Sequence, residues 1–247
     1  MAQLVIDIGN TFTKLAVFNG NELLFAEHYE APDGELLQSL INQYTIQKAI
    51  VSSVKKDVPL WLVSLQERVK VMLFSRDMAT GIRNHYRTPH TLGLDRLVGV
   101  MSARHLYPGT YNLVIDAGTC ITYDGVDAEG NYFGGSISPG LNMRYRAMNH
   151  YTAGLPLVQA DELFNRLYGD DTLTAMQSGV QNGMLYEVQG FIQSYLQQAG
   201  SLNIILTGGD AVFLDTVLKN SIFAGYIKLE PYLVLKGLNA AIQEHND

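Results

Sequence analysis

Residues 114–119 read Val-Ile-Asp-Ala-Gly-Thr, and residues 5–11 have already read Val-Ile-Asp-Ile-Gly-Asn-Thr, longer by the single residue Asn10. Each copy is an apolar run halted by an Asp and a Gly, the signature of a strand entering a tight bend. Each leads into a second apolar run and a hairpin turn. The first hairpin resumes through Leu15, Val17 and Phe18 and turns at Asn19, Gly20 and Asn21, whereas the second turns within 127–130 and ends in the glycine-rich run GGSISPGL at 134–141. Two copies of one strand-turn-strand device imply an internal duplication. The seam should fall near residue 110, giving halves 1–110 and 111–247.

The rest of the chain fills in around these copies. Leu36, Leu37, Leu40, Ile41 and Tyr44 have helical spacing, residues 48–54 read as a buried strand, Asp57 and Pro59 open another helix, and residues 71–74 form a short strand. Residues 76–93 (RDMATGIRNHYRTPHTLG) show no period and end at a helix carrying Leu94, Leu97, Val98 and Met101. A loop that long, ending at a helix N-terminus, is a candidate binding loop. The second half continues with helices at 142–150 and 161–167 and a long helix at 172–199. It then has a strand at 202–206 ending in TGGDA (207–211), a helix with Phe213, Leu214, Val217 and Leu218, a strand at 226–229, and a closing helix from Tyr232. Gly179 and Gly183 on the long helix each cost about 1 kcal/mol relative to Ala, which close packing or ligand approach offsets. The alternation defines an α/β fold.

Composition narrows the function classes. At 247 residues the chain holds one large or two modest domains, and a formal charge of −7 has the wrong sign for affinity resting on nucleic-acid phosphates. Charged residues are 17% and hydrophobic ones 47%, which allows a large core. The lone Cys120 excludes an intramolecular disulfide and a multi-thiolate zinc site. No basic stretch precedes the first apolar run, and no run approaches the ~18 residues of a membrane span. The expectation is a soluble cytoplasmic protein with neither membrane nor nucleic acid as partner.

Three strands end alike, in VIDIGNT, VIDAGT and ILTGGD. Glycine lets backbone N–H groups approach an anion, and Thr adds a hydroxyl donor. Asp7 and Asp116 would repel a phosphate unless a cation lies between, so the set points to a nucleotide with its metal. Each device alone is most often just a turn; the duplicated pair plus TGGD favours the nucleotide. The P-loop, GxGxxG, HExxH and GxSxG patterns are all absent.

DIGNTFTK at 7–14, YRTPHTLGLDR at 86–96, DAGT, GGSISPGL, TAGLP from Thr152 and the TGGD tail together resemble a type III pantothenate kinase over nearly the whole chain. That family belongs to the acetate and sugar kinase, Hsp70 and actin superfamily. The resemblance implies two duplicated RNase H-like domains with a nucleotide cleft between them, and ATP-dependent phosphorylation of pantothenate to 4′-phosphopantothenate, which opens coenzyme A biosynthesis. It assigns Asp7, Ile8, Gly9, Asn10, Thr11, Phe12, Thr13, Lys14 and Thr119 to ATP. It has Asp7 reach Mg²⁺ through water and Asp116 hold a monovalent cation, K⁺ or NH₄⁺. Asp95 is the catalytic base, and Tyr86, Gly93, Leu94, Asp95, Arg96 and Thr172 line the pantothenate pocket. The pocket is completed at a homodimer interface, with Thr172 from either subunit.

Each assignment has a plainer alternative. Lys14 is also readable as a surface residue, Asp95 as a first-turn acid favoured by the helix dipole, and Arg96 as a partner of Asp95. Thr172 could be the N-cap of the long helix. Cys120 stands where the family has a small Ala, and a packing change accounts for it. The six histidines show no ligand spacing, and His85 and His90 read as solvated loop residues. Arg83, Arg87, Arg144 and Arg146 are candidates for drawing in an anionic substrate. Two competing functions remain, a non-catalytic nucleotide-binding regulator of the same fold and a kinase for another hydroxy acid or sugar.

Overall fold

Leu4, Ile6 and Ile8 alternate with Val5 and Asp7 along β1 (Ala2–Ile8), and all five are buried, so the strand is covered on both faces. The computed structural model describes residues 2–53 and 59–245. β1 pairs antiparallel with β2 (Thr13–Asn19), which pairs with β3 (Glu22–Tyr29). Helix α1 (Gly34–Tyr44) starts where the Asp33 carboxylate accepts the Leu36 N–H at 2.8 Å, and it ends at Thr45 in the left-handed region. β4 (Lys48–Ser53) then lies parallel to β1, and after α2 (Leu60–Gln66) comes β5 (Lys70–Leu73), parallel to β4. The sheet order is β3-β2-β1-β4-β5. The expected helix start at Asp57 and the last residue of the 48–54 strand lie outside the described residues. A two-residue strand, β6 (Arg83–Asn84), interrupts the irregular loop before α3 (Leu94–Leu106).

The second unit repeats the plan. β7 (Tyr111–Ala117) pairs antiparallel with β8 (Cys120–Val126), which pairs with β9 (Asn131–Pro139). After α4 (Leu141–Tyr151), α5 (Thr172–Gln177) and α6 (Gly183–Ala199), β10 (Leu202–Thr207) lies parallel to β7; α7 (Ala211–Leu218) then leads to β11 (Ile227–Leu229), parallel to β10. Within the unit the strands run β11-β10-β7-β8-β9, the same order and directions as in the first sheet. The duplication read from the two hairpins therefore extends to the whole sheet.

Two expectations need correction. The division falls between Leu106 and Tyr107, and the second unit ends at Pro231, so the closing helix α8 (Leu233–Glu244) belongs with the first unit. The physical reason is an uncovered face: Val5, Ala16, Phe18 and Ile50 form a core with Val98 and Met101 of α3 and with Val234, Leu235, Leu238 and Ile242 of α8. The other face, with Leu4, Ile6, Leu15 and Val17, is covered by α1 and α2. Second, residues 161–167 form turns, not a helix: the Asp161 carboxylate accepts the Leu163 N–H at 2.9 Å, and side chains from elsewhere take up the backbone. The long helix runs over Thr172–Ala199 as expected, with a π-helical segment, Ser178–Asn182, between α5 and α6.

α3 and α8 meet at Gly237. A Cβ there would overlap the Ser102 hydroxyl, which donates to the Val98 carbonyl at 2.7 Å, and would lie 2.9 Å from Val98 Cγ1. Gly237→Ala should therefore destabilise the protein by about 1–3 kcal/mol through overpacking, although Ala is the better helix former by about 1 kcal/mol. Thermal unfolding measures the loss, and Ser102→Ala in the same chain should recover part of it.

Candidate active site

The first hairpin builds a short exposed loop. Ile8 pairs with Thr13, leaving four residues between them, and the Gly9 N–H donates to the Phe12 carbonyl at 3.0 Å. Asn10 and Thr11 stand exposed at the tip, while the Ile8 and Thr13 side chains are buried, so those two can meet a ligand only through backbone. The Phe12 ring packs edge-on against His28 at 5.1 Å. Asp7 is buried at the strand end, directly across from Lys14 on β2 and Ser52 on β4. Paired residues share a sheet face, so the Lys14 side chain projects on the side of Asp7.

The irregular loop of the same unit delivers Asp95. Leu92 is an anchor at 2% exposure, and the Gly93 carbonyl accepts the Leu97 N–H at 3.3 Å as α3 begins. Asp95 follows in the first turn, its carboxylate accepting the Arg96 N–H at 2.8 Å. A Cβ on Gly93 would strike that carboxylate, so any side chain there would force the Asp95 carboxylate to another position. Arg96 is buried, with its guanidinium carbon 5.9 Å from the centroid of the Tyr86 ring, whose backbone N–H is held by Asn84 at 2.9 Å. Tyr86, Gly93, Leu94, Asp95 and Arg96 are thus brought together, as expected. His85, His90, Arg83 and Arg87 are exposed on this loop.

In the second unit Ala117 pairs with Ile121, one residue closer than in the first hairpin, which is the missing Asn of the second copy. Asp116 lies in register with Thr122 and Thr207. Two helix N-termini are seated against this loop. The Gly140 N–H donates to the Thr119 carbonyl at 3.1 Å as α4 starts, and the Asp210 N–H donates to the Ala117 carbonyl at 2.9 Å as α7 starts. Neither helix has a side-chain cap, which suits an anion at its first-turn N–H groups. Gly208 has φ +92°, and a Cβ on it would collide with the Ala117 carbonyl and the Asp116 carboxylate. Burial pushes the Asp210 carboxyl up from its ordinary pKa. Thr119 is exposed, and Cys120 is half-buried as the first residue of β8.

Two expectations for this unit are revised. Thr172 is not a cap: Asp171 caps α5, accepting the Thr174 N–H at 2.7 Å and the Thr174 hydroxyl at 2.8 Å, which leaves Thr172 exposed on the first turn. Arg144 is already engaged, with Glu187 at 2.6 Å and the Pro139 carbonyl at 2.9 Å, so it does not draw in substrate.

Sequence reasoning missed the groups that hold these segments. Gln181 of the π-turn binds both the N–H and the carbonyl of Asp161, Ser178 donates to the Leu167 carbonyl at 2.8 Å, and Asn182 donates to the Arg166 carbonyl at 2.9 Å. The run QSGVQN at 177–182, with four polar residues and a glycine around Val180, was the available signal. Glu187 gathers Arg144 of α4, Tyr123 of β8 and Ser138 of β9. Burial alone would raise its pKa, but these three donors outweigh it and hold the carboxyl below the ordinary value of ~4.3. Its stabilisation is therefore complete above that value and lost as pH falls through the lowered one. Glu187→Gln should cost about 1–3 kcal/mol at pH 7 and flatten the acid limb of a stability-against-pH curve, read by denaturant unfolding.

Known proteins place this arrangement in a class. A protein from Campylobacter jejuni described as a Baf family transcriptional activator superposes with TM-score 0.63 at 19% identity, covering 98% of both chains. A ROK hexokinase from Thermus thermophilus superposes with TM-score 0.53 at 15% identity over the full length of both. The fold is that of the kinases and ATPases built from two RNase H-like domains. A family model of type III pantothenate kinases matches residues 3–194. Type III pantothenate kinases from Bacteroides fragilis and Flavobacterium johnsoniae are 41% and 42% identical to the chain, covering 98% of the chain and of the first relative and 90% and 91% for the second. The chain belongs to the type III pantothenate kinase family.

Proposed function

We propose that the chain carries out its family's reaction, ATP-dependent phosphorylation of pantothenate to 4′-phosphopantothenate at the start of coenzyme A biosynthesis, with Asp95 as the base. The observation that carries this reading is the Asp95 carboxylate on the first turn of α3, close against Gly93 and next in sequence to the Arg96–Tyr86 pair. Phosphoryl transfer needs an oriented nucleophile more than a strong base, and a carboxylate accepting the hydroxyl proton supplies both. The Arg96 fork suits the carboxylate of pantothenate and Tyr86 lines the pocket, while the Thr172 hydroxyl, from either subunit of a homodimer, is assigned to the same substrate by the family likeness alone.

Asn10, Thr11 and Thr119, at the tips of the two hairpins, supply donors to phosphate, and Lys14 adds a point charge. Among the described residues no group of three or more His, Cys, Asp or Glu forms a metal cage. Mg²⁺ would be held through one carboxylate, waters and the nucleotide's own oxygens, with Asp7 as the protein's contribution. When bound, the ion neutralises charge on the transferring phosphates. The Asp116 carboxylate and the Ala117 carbonyl converge at Gly208, an oxygen-lined cradle that a side chain would fill and that suits K⁺ or NH₄⁺.

A homodimer is part of the proposal. Tyr151, Leu157, Leu163, Leu167 and Tyr168 are each more than half exposed, an unusual density of bare apolar surface for one stretch, and Thr172 follows it directly. No helix among the described residues is long and apolar enough to cross a membrane, and a lone half-buried cysteine suits the cytoplasm. The test is ADP release by the purified protein, with and without pantothenate, in K⁺ and in Na⁺ buffer, alongside light scattering for the dimer. Pantothenate-dependent turnover that is stronger in K⁺ is expected. ATP binding without any pantothenate-dependent turnover would overturn the reading.

A further inference from the structure

We propose that Arg76 is a positioning residue for the catalytic carboxylate, its guanidinium fixing the backbone that delivers Asp95. The inference rests on the reading of Asp95 as the base. Arg76 opens the long irregular loop, yet its side chain reaches the loop's far end: Nε donates to the Pro89 carbonyl at 2.7 Å, and Nη2 donates to the carbonyls of His90 at 3.0 Å and Leu92 at 2.9 Å. Residues Pro89–Thr91 are a single 3₁₀ turn closed by the Leu92 N–H on the Pro89 carbonyl at 3.3 Å, and the guanidinium adds three bonds to the backbone here. A cation at that end is favoured by the turn's own dipole, and a planar guanidinium holds its N–H groups in fixed directions toward the three carbonyls, where a lysine ammonium is a point charge on a flexible stem.

The position of this clamp is what ties it to the chemistry. Leu92, whose carbonyl is the last one held, is followed by Gly93, Leu94 and then Asp95. Gly93 has no side chain to pin the chain, and a Cβ on it would displace the Asp95 carboxylate from its present place. The entry path into α3 is therefore set from upstream, by the buried Leu92 side chain on one side and by the guanidinium on the other. Catalysis is sensitive to displacements of this size: a shift of about 1 Å in a positioned group costs on the order of 10²-fold in rate. The same clamp closes the loop that carries Tyr86.

The experiment compares Arg76→Ala and Arg76→Lys with the unaltered full-length protein, measuring kcat, both KM values, the dissociation constant of ATP and the melting temperature. The expected result for Arg76→Ala is a kcat lowered about ten- to hundredfold with ATP affinity unchanged, and partial recovery of kcat on adding low millimolar guanidinium or ethylguanidinium. Arg76→Lys, which keeps the charge and loses the fixed planar fork, should fall between. In an Asp95→Asn background, Arg76→Ala should lower kcat no further. A wild-type kcat in either variant overturns the proposal, and so does a loss that guanidinium leaves unrestored and that follows the melting temperature down. Turnover retained by Asp95→Asn alone would instead remove the base assignment, a separate failure read from a separate protein.

Discussion

Asp95→Asn should lower kcat by about 10²–10⁴-fold, the range for removal of a general base, while the dissociation constant of ATP stays within about twofold. The substitution is nearly isosteric, and the amide oxygen can still accept the Arg96 N–H that the carboxylate now accepts at 2.8 Å. The backbone entering α3 is therefore expected to stay in place. What disappears is the proton acceptor and one negative charge in the first turn of the helix. The charge is worth only about 0.3–1 kcal/mol against the helix dipole, so the melting temperature should fall slightly. The alternative, that Asp95 is merely a favourable first-turn acid, predicts the reverse pattern, a small loss of stability with kcat intact. Coupled ADP release, calorimetric titration with ATP and a thermal melt on one preparation separate the two. An unchanged kcat would take Asp95 out of the mechanism.

The sheets were legible because their signals are local. β1 and β7 are short apolar runs ended by Asp and Gly, and the one-residue difference between the copies reappears as a one-residue difference in hairpin length. The fate of α8 was not local. Its apolar residues show that it is covered but not by which sheet, and only the core of Val5, Ala16 and Ile50 decides that. The cap of α5 was legible in principle. Asp171 and Thr172 are both cap formers, but a capping box needs a reciprocating side chain three residues on: Asp171 finds Thr174, whereas Thr172 would find Ala175. The turns at 161–167 were misread because helical spacing says nothing about Gln181, Ser178 and Asn182, which claim that backbone from across the fold. Arg76 was illegible for the same reason, since a side chain that binds carbonyls rather than a carboxylate has no partner of complementary charge to find in the sequence.

Gly208→Ala should cost about 3 kcal/mol or more and abolish measurable ATP binding. Two effects add. The backbone at φ +92° is one that an L side chain rarely adopts, a strain of about 1–3 kcal/mol. The new Cβ would also meet the Ala117 carbonyl, which is backbone at the end of a central strand and cannot rotate away. Relief requires moving either the strand end that carries Asp116 or the start of α7, which is tied there by the Asp210 N–H at 2.9 Å. Either movement disturbs the oxygen cradle and the helix N-terminus that face the hairpin loop. At roughly 2–4 °C per kcal/mol for chains of this size, the melting temperature should drop by about 6–12 °C. The neighbouring glycine supplies the control: a Cβ on Gly209 would meet nothing within 4 Å, and its φ is not in the left-handed range. Gly209→Ala should therefore stay within about 0.5 kcal/mol of the parent, as surface changes usually do. Should the two alanine variants melt and bind ATP alike, the tight approach of Gly208 to the strand end would not be what the TGGD turn requires.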